Sequence, residues 1–498
     1  MIEKIRSSVK QTIYYGIGNV AIKLVGLLLL PIFSRTFSIE LYGLLALLEI
    51  SAEIIMAVSA CGIESGFNRW YWDKEHVHKQ KSLFFTTLSF SIISALFWLI
   101  ISYLIIQRFS VPIYDTVIGH GLMWAFLINI LFRIIVSRSL LLLQIQQLVI
   151  KQTKLVLLNM AIVLSTTIVF IIVFKMSLDG VFWGQIIGNF VVIISILPFI
   201  RKNVEIKFEF KLLKELLSYS LPIAVSTVMA IVMTLSDRFI LKHYYDLGDV
   251  GQYSLAYKIS NLIKLFIVRS FIKSYSFKYY YDINNEDNDP FFYKSLTYFT
   301  FVAVYSGLFL SIFSGMVIKA FTDNADYYNS YFIVPYLIVG IILFGIRSML
   351  TLPLGKLKKS KTISIIAIGT GLVNVILNLL FIPHYGSIGA AGATGIAQGL
   401  ALVVCLILNK KYGFASYEVV KYIKAFVIGI GLIYAWMAIP ELNIFTQLMI
   451  NIAIMILYPF LLMAIGFFEK KEIVIIRQTF QKWTDIERVR NIIKNKRQ

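Results

Sequence analysis

A chain in which long apolar stretches keep recurring, separated by short polar turns, has few ways to fold. Such stretches occupy residues 13–34, 41–62, 83–106, 122–145, 155–174, 181–200, 216–240, 253–277, 295–321, 331–351, 362–381, 389–408, 422–438 and 444–468. Each is long enough to cross a hydrocarbon layer of about 30 Å as a helix. In hydrocarbon a helix satisfies every backbone polar group within its own segment. The expected fold class is therefore all-α, a polytopic membrane protein with about fourteen transmembrane helices. Composition agrees, because 58% of the 498 residues are hydrophobic and only 15% are charged, against about 25% charged in soluble domains.

Loop charge sets the orientation. Lys4, Arg6 and Lys10 precede the first stretch. Every second connection after it is basic: Arg69 to Lys81, Lys151 and Lys154, Arg201 to Lys214, Lys273 to Lys294, Lys356 to Lys361, and Lys410 to Lys424. The intervening turns hold few cations, mainly Arg35, Arg108, Lys175, Lys242 and Lys319. Basic loops stay on the cytoplasmic side, so both termini are expected there, in a cell (inner) membrane. The net charge of +20 is spread over these loops rather than gathered in a free basic domain, which speaks against nucleic acid as a partner. No A-x-A-like cleavage site follows the first apolar run, so an uncleaved first helix is expected.

The longest connections, 63–82, 201–215 and 278–294, carry no soluble domain. The last thirty residues differ. Ile476, Phe480, Trp483, Ile486, Val489 and Ile493 recur at near-helical spacing among lysines and arginines, the pattern of an amphipathic helix on an anionic leaflet.

The two halves share punctuation. The first stretch ends at Arg35, before Leu41-Tyr42-Gly43, and the seventh ends at Asp237-Arg238, before Gly251-Gln252-Tyr253. Leu178-Asp179-Gly180 opens the sixth, and Ile388-Gly389-Ala390-Ala391-Gly392 opens the twelfth. Internal symmetry of this kind marks transporters whose path lies between repeats. The expected organisation is a bundle over residues 1–200, a linker over 201–215, a second bundle over 216–410, two further helices over 411–468 and the tail over 469–498. Pro31, Pro222, Pro335 and Pro459 are candidate bends, though helix-end placement is as good a reading of Pro222.

Charges inside the apolar stretches are the candidates for function, because a cation in hydrocarbon is costly and normally faces a wet cavity or bundle interior. They are Lys23, Arg133, Arg138, Lys258, Lys264, Arg269 and Arg347. At about 100° per residue, Lys258 and Arg269 share a helix face with Asn261, and Lys264 points elsewhere. Glu49 and Glu53 stand one turn apart on the second stretch. Seven cations less two carboxylates leave about +5, a surplus that suits an anion such as a phosphate or acidic sugar. Arg138, Lys264, Arg269 and Arg347 have a second reading, in which they snorkel to headgroups. Glu49 and Glu53 either neutralise Lys23 or take up a proton during transport.

Catalytic signals are weak. His76 and His78 sit in a charged loop, Cys61 and Cys405 are isolated, and the acidic run 282–289 lacks the ligand pattern of a calcium loop. No phosphate-binding G-x-x-x-x-G-K-[ST] occurs, so no cofactor and no direct ATP motor are expected.

Several motifs in order resemble one family. They are Gly18-Asn19 through Arg35, Leu41-Tyr42-Gly43-Leu44, Cys61-Gly62-Ile63-Glu64-Ser65-Gly66, Asp237-Arg238-Phe239, Gly251-Gln252-Tyr253, Asn374-Val375-Ile376-Leu377-Asn378, Ile382-Pro383 and Gly386-Ser387-Ile388-Gly389-Ala390-Ala391. Over nearly its whole length the chain resembles the polysaccharide-transport flippases. These are the O-antigen and lipid-linked oligosaccharide group of the multidrug/oligosaccharidyl-lipid/polysaccharide exporter superfamily. The resemblance implies two bundles packed as a V around a cavity that opens alternately to each side. It also implies a cargo of oligosaccharide on a polyprenyl diphosphate, and partners in the membrane lipids and in polysaccharide polymerase and chain-length machinery. Lipid II flippases of the superfamily use cations on the first and eighth spans, where Lys23 and the Lys258–Arg269 set lie here. A cation-coupled multidrug exporter of the same superfamily is the alternative. A glycan polymerase fits less well, because no large external loop with paired acids or arginines is present.

Overall fold

The computed structural model describes residues 25–26, 28–281, 289–357, 359–413, 418–440, 442–469, 471–472 and 474. Lys23, nearly all of the acidic run 282–289 and the amphipathic pattern of the tail from 475 onward lie outside the described residues.

Helices make up the fold. Helix α1 is Leu30–Thr36, with Pro31 in its first turn, where a missing N–H costs nothing. Helix α2, Ile39–Ala60, starts at Ser38, whose side chain accepts from the Leu41 N–H at 3.3 Å. Two consecutive left-handed residues end it, Cys61 (φ 46°) and Gly62 (φ 63°). The chain then re-enters a short helix, α3, Ile63–Trp70, which the sequence reading placed in a loop. Three long helices and one extended by a wide π turn complete the first bundle: α4 Gln80–Tyr114, α5 His120–Ile145, α6 Val149–Ile168 continuing through Val169–Val173, and α7 Leu178–Lys202.

The second bundle begins with α8, Phe210–Tyr244, a 35-residue helix that carries Pro222 in its interior. Its start at Phe210 shortens the linker expected over 201–215. Helix α9 is Leu247–Ile263, capped by the Asp246 side chain. A π turn over Lys264–Val268 leads into α10, Arg269–Tyr281. Then come α11 Asp289–Phe321, a 3-10 stretch Ala325–Phe332, α12 Val334–Leu350, α13 Leu352–Lys356, α14 Ser360–Lys411, α15 Val419–Met437 and α16 Ile444–Ala464.

Eleven helices among the described residues are long and apolar enough to cross a membrane. One of them, α14, has 52 residues and would span about 78 Å if straight, more than two bilayer cores. It breaks at Gly386 (φ 53°, ψ −133°), so it supplies the expected eleventh and twelfth segments. The eighth segment fails the apolar criterion because α9, the π turn and α10 carry Lys258, Lys264 and Arg269.

The first bundle packs α7 against α5 and α6, and the second packs α14 against α12 and α8. Outward-facing Ile93, Phe97, Ile100 and Leu104 on α4, and Val427 and Phe460 on α15 and α16, are exposed. Apolar side chains in such numbers on an outer surface suit lipid rather than water. The basic segments at Lys79 to Lys81, Arg201 to Lys214 and Lys356 to Lys361 follow every second span and so fall on one side by alternation, here called the basic end.

Candidate functional site

The bundles meet at both ends of their interface. At the end opposite the basic one, α2 and α9 touch backbone to backbone. A Cβ placed on Gly43 would stand 2.0 Å from the Leu247 carbonyl oxygen, and one on Gly251 would stand 2.2 Å from that of Ile39. Only glycine permits that approach. The contact is continued by Tyr327, whose hydroxyl donates to the carbonyls of Phe37 and Ser38 at 3.1 Å, and by Thr322, which donates to the Ser34 carbonyl at 2.6 Å. At the basic end, Gly62 and Gly66 let α3 lie against α8, and the Gly66 N–H donates to the Ser220 hydroxyl at 3.1 Å. Outside the membrane-spanning segments there, Glu209 accepts from Lys79 at 2.9 Å and from Ser82 at 3.2 Å. The Lys79 ammonium holds that carboxyl below its usual range.

Between these two contacts lies a cavity of about 950 Å³, at the upper end of the usual size for small-molecule sites. Its walls come from α2, α3, α5, α6 and α7 on one side and from α8 and α9 on the other. The charged side chains that line it are Arg133, Arg138, Arg238 and Lys258 against Glu49, Glu53 and Glu64. They form pairs. Arg133 Nη2 lies 2.5 Å from Glu53 Oε1, Arg138 Nη1 lies 2.5 Å from Glu64 Oε1, and Lys258 Nζ lies 3.7 Å from Glu49 Oε2. The contact at Arg138 is an ion pair by distance only, since Nε and Nη1 of this buried guanidinium lack an aligned hydrogen-bond acceptor. Lys258 also sits 5.0 Å above the Tyr42 ring.

Exposure differs within each pair. The cations are sheltered, at 4% for Arg138, 25% for Lys258 and 28% for Arg133, whereas the three carboxylates are 39–49% exposed. The acids thus form the outer layer of the charged wall.

Arg238 is held differently. Its guanidinium meets Asp237 at 2.9 Å, and Asp237 also accepts from the Tyr253 hydroxyl at 2.6 Å. The Tyr257 ring lies 4.2 Å from the guanidinium carbon. This buried network fixes one edge of the cavity from within the second bundle.

The wall of the first bundle carries amides. Asn129 donates to Gln185 at 2.8 Å and Asn159 donates to Asn189 at 3.1 Å. Gln144, Gln152, Asn159, Gln185 and Asn189 face the cavity, and Gln152 Oε1 has no hydrogen-bond partner. Neutral donors and acceptors of this kind match hydroxyl-rich ligands.

Of the residues selected from sequence, Arg133, Arg138, Lys258, Glu49 and Glu53 come together here. Lys264, Arg269 and Arg347 do not line this cavity. The shared face expected for Lys258 and Arg269 assumed an unbroken α-helix. The π turn over Lys264–Val268 shifts the phase between them. Glu49 faces Lys258 and Glu53 faces Arg133, in place of the Lys23 partner considered from sequence. The estimate of about +5 buried charge does not describe this cavity, where four cations meet three carboxylates among the described lining residues. Glu64, Arg238 and the amide wall were not selected. Glu64 hid beyond the Cys61–Gly62 break, and Arg238 read as half of a pair at a helix end. No cluster of three or more His, Cys, Asp or Glu able to hold a metal occurs among the described residues.

Comparison places these features in context. A family model described as polysaccharide biosynthesis protein matches residues 8–274, more than half of the chain. Among solved structures, lipid II flippase MurJ in an inward closed conformation aligns with a TM-score of 0.71 at 19% identity, covering 90% of this chain and 98% of that one. An inward-facing multidrug resistance MATE family transporter of the MOP superfamily aligns at 0.63 with 14% identity, covering 81% and 94%. A MOP superfamily transporter from Pyrococcus furiosus, described as having a binding pocket of reverse polarity, aligns at 0.57 with 14% identity, covering 81% and 94%. No curated protein matches the sequence. These likenesses establish the two-bundle transporter fold.

Proposed function

The chain belongs to the polysaccharide biosynthesis protein family, and from that premise we propose that it is a flippase for an oligosaccharide carried on a polyprenyl diphosphate. The cargo enters from the basic side, which the positive-inside rule makes cytoplasmic, and leaves on the other side of the cell membrane. Movement is by alternating access. The α3–α8 contact opens for loading and the α2–α9 contact opens for release.

The observation that carries this reading is the layered charge of the cavity, with sheltered cations behind exposed carboxylates. An empty cavity with bare cations would be unstable in a membrane, and carboxylate partners relieve that cost. A diphosphate is a stronger, bidentate-capable acceptor for arginine. On loading, it takes Arg133, Arg138 and Lys258 from Glu53, Glu64 and Glu49. The displaced carboxylates turn to water or take up protons, which gives Glu49 and Glu53 a route to couple transport to a proton gradient. The amide wall on α5, α6 and α7 faces the sugar hydroxyls.

The test is a proteoliposome assay with a short-sugar polyprenyl diphosphate. Arg133→Gln with Lys258→Gln is expected to cut translocation at least tenfold, and Glu53→Gln to tighten cargo binding by freeing Arg133. Wild-type rates in the double variant would count against the proposal. So would equally fast transport of toxic organic cations, which would favour a drug exporter.

A further inference from the structure

Three of the cations selected from sequence gather elsewhere in the second bundle. Lys264 opens the π turn, Arg269 follows it at the start of α10, and Arg347 sits in the last turn of α12. Lys264 Nζ lies 4.8 Å from the centre of the Phe344 ring, and the Arg347 guanidinium carbon lies 5.4 Å from the same centre. Two positive groups therefore flank one aromatic ring. Lys264 also feels the charges of both Arg269 and Arg347.

What the cluster lacks is an acid. Among the described residues no carboxylate pairs with any of the three. Arg347 Nε donates to Gln398 Oε1 at 3.0 Å, which fixes the plane of the guanidinium, and its two terminal NH2 groups donate no hydrogen bond among the described residues. Lys264 and Arg269 donate no hydrogen bond among the described residues. The contrast with the central cavity is informative, because every cation lining that cavity has a carboxylate in reach. Arg269 is exposed, but Lys264 and Arg347 are only partly so, and two like charges at one ring without a counter-ion within the membrane-spanning region repel one another and are costly there. The attraction of the Phe344 ring offsets only part of that cost. The cluster thus needs an anion from outside the described chain.

We infer that Lys264 and Arg347, with the exposed Arg269 beyond the π turn, form a second anion site, distinct from the central cavity, that holds the phosphate or diphosphate group of a lipid. Each side chain is suited to it. Arg347, oriented by Gln398, presents a planar fork that matches phosphate oxygens, and Lys264 supplies a point charge beside it. Six residues of ordinary helix already turn Lys264 away from Lys258, which faces the cavity, and the π turn that starts at Lys264 resets the phase of Arg269 after it. The anion site stands on this geometry alone. Its use by the cargo diphosphate, as a loading station, rests on the reading above.

Native mass spectrometry of the full-length protein in detergent tests the site, with geranylgeranyl diphosphate as probe. The wild type is expected to bind two equivalents. The Lys264→Gln/Arg269→Gln/Arg347→Gln variant is expected to bind one, with affinity for the second equivalent lost by tenfold or more. The Arg133→Gln/Lys258→Gln variant is expected to retain the cluster's equivalent and lose the cavity's. Arg347→Lys, which keeps the charge but loses the fork, controls for folding and should still bind the second equivalent, more weakly than wild type. Two equivalents on the triple variant would overturn the proposal. Two equivalents on the cavity variant would instead sink the cavity reading and leave this one standing. Phosphatidylglycerol distinguishes the sources. If it displaces the cluster-bound probe, the site belongs to a membrane phospholipid phosphate. If it does not, the site selects the cargo's diphosphate.

Discussion

The Gly251→Leu protein is expected to insert into the membrane and to translocate no cargo above background. The reason is geometric. A Cβ on Gly251 would stand 2.2 Å from the Ile39 carbonyl oxygen, and its reciprocal on Gly43 would stand 2.0 Å from that of Leu247. Even a weak C–H···O contact needs about 3.3 Å between carbon and oxygen. The obstructing atoms are backbone, so no rotamer change relieves the clash. Helices α2 and α9 must part by about 1 Å for Ala, and further for Leu. The same two helices supply Glu49, Glu53 and Lys258, so parting them also opens the Lys258–Glu49 contact. A transporter that cannot seal this end cannot complete an alternating cycle. Crosslinking between Ile39→Cys and Leu247→Cys would report the seal, with its yield falling in the Gly251→Leu background. Transport at the wild-type rate by Gly251→Leu would show that this contact has no part in the cycle.

The second large effect concerns stability. Asp237→Asn is expected to destabilise the protein by about 3–5 kcal/mol, the usual result of stranding one member of a buried ion pair. Asp237 and Arg238 are both 4% exposed, so little solvent reaches either charge. The change keeps the shape of the side chain and removes its charge, leaving the guanidinium held by the Tyr253 and Tyr257 rings alone. It also takes a charged acceptor from the Tyr253 hydroxyl. Adding Arg238→Gln to Asp237→Asn should recover more than half of the loss, because the stranded charge is then gone. Thermal unfolding in detergent measures both. A loss under about 1 kcal/mol for the single variant would mean that water reaches the pair.

The order of helices was legible because apolar length and loop charge are local properties of the chain. The same locality explains what was missed. Fourteen segments were read from windows, and the break at Gly386 inside α14 falls between two of them, 362–381 and 389–408, although the chain stays helical on both sides of it. Arg133, Arg138 and Lys258 stood out because charge is rare in an apolar run, and all three line the cavity. Arg269 lost its expected alignment with Lys258 to a π turn, which no periodicity count includes. Glu64 sits beyond two left-handed residues, so its helix read as loop. The separation of Lys264 and Arg347 from the cavity depends on how α9 and α12 pack, a non-local fact. Compensation was likewise hidden, since only the fold shows Arg133, Arg138 and Lys258 each meeting an acid from another helix.

The central claim is that this cavity recognises its cargo by phosphate charge. Binding of a polyprenyl diphosphate and of the matching uncharged polyprenol to the purified full-length protein, over a series of salt concentrations, tests it most directly. The diphosphate should bind, weaken as salt rises, and lose at least tenfold in affinity with Arg133→Gln/Lys258→Gln, while the polyprenol binds no better than that variant holds the diphosphate. Equal affinity for the two lipids, unchanged by salt or by the double substitution, would contradict it.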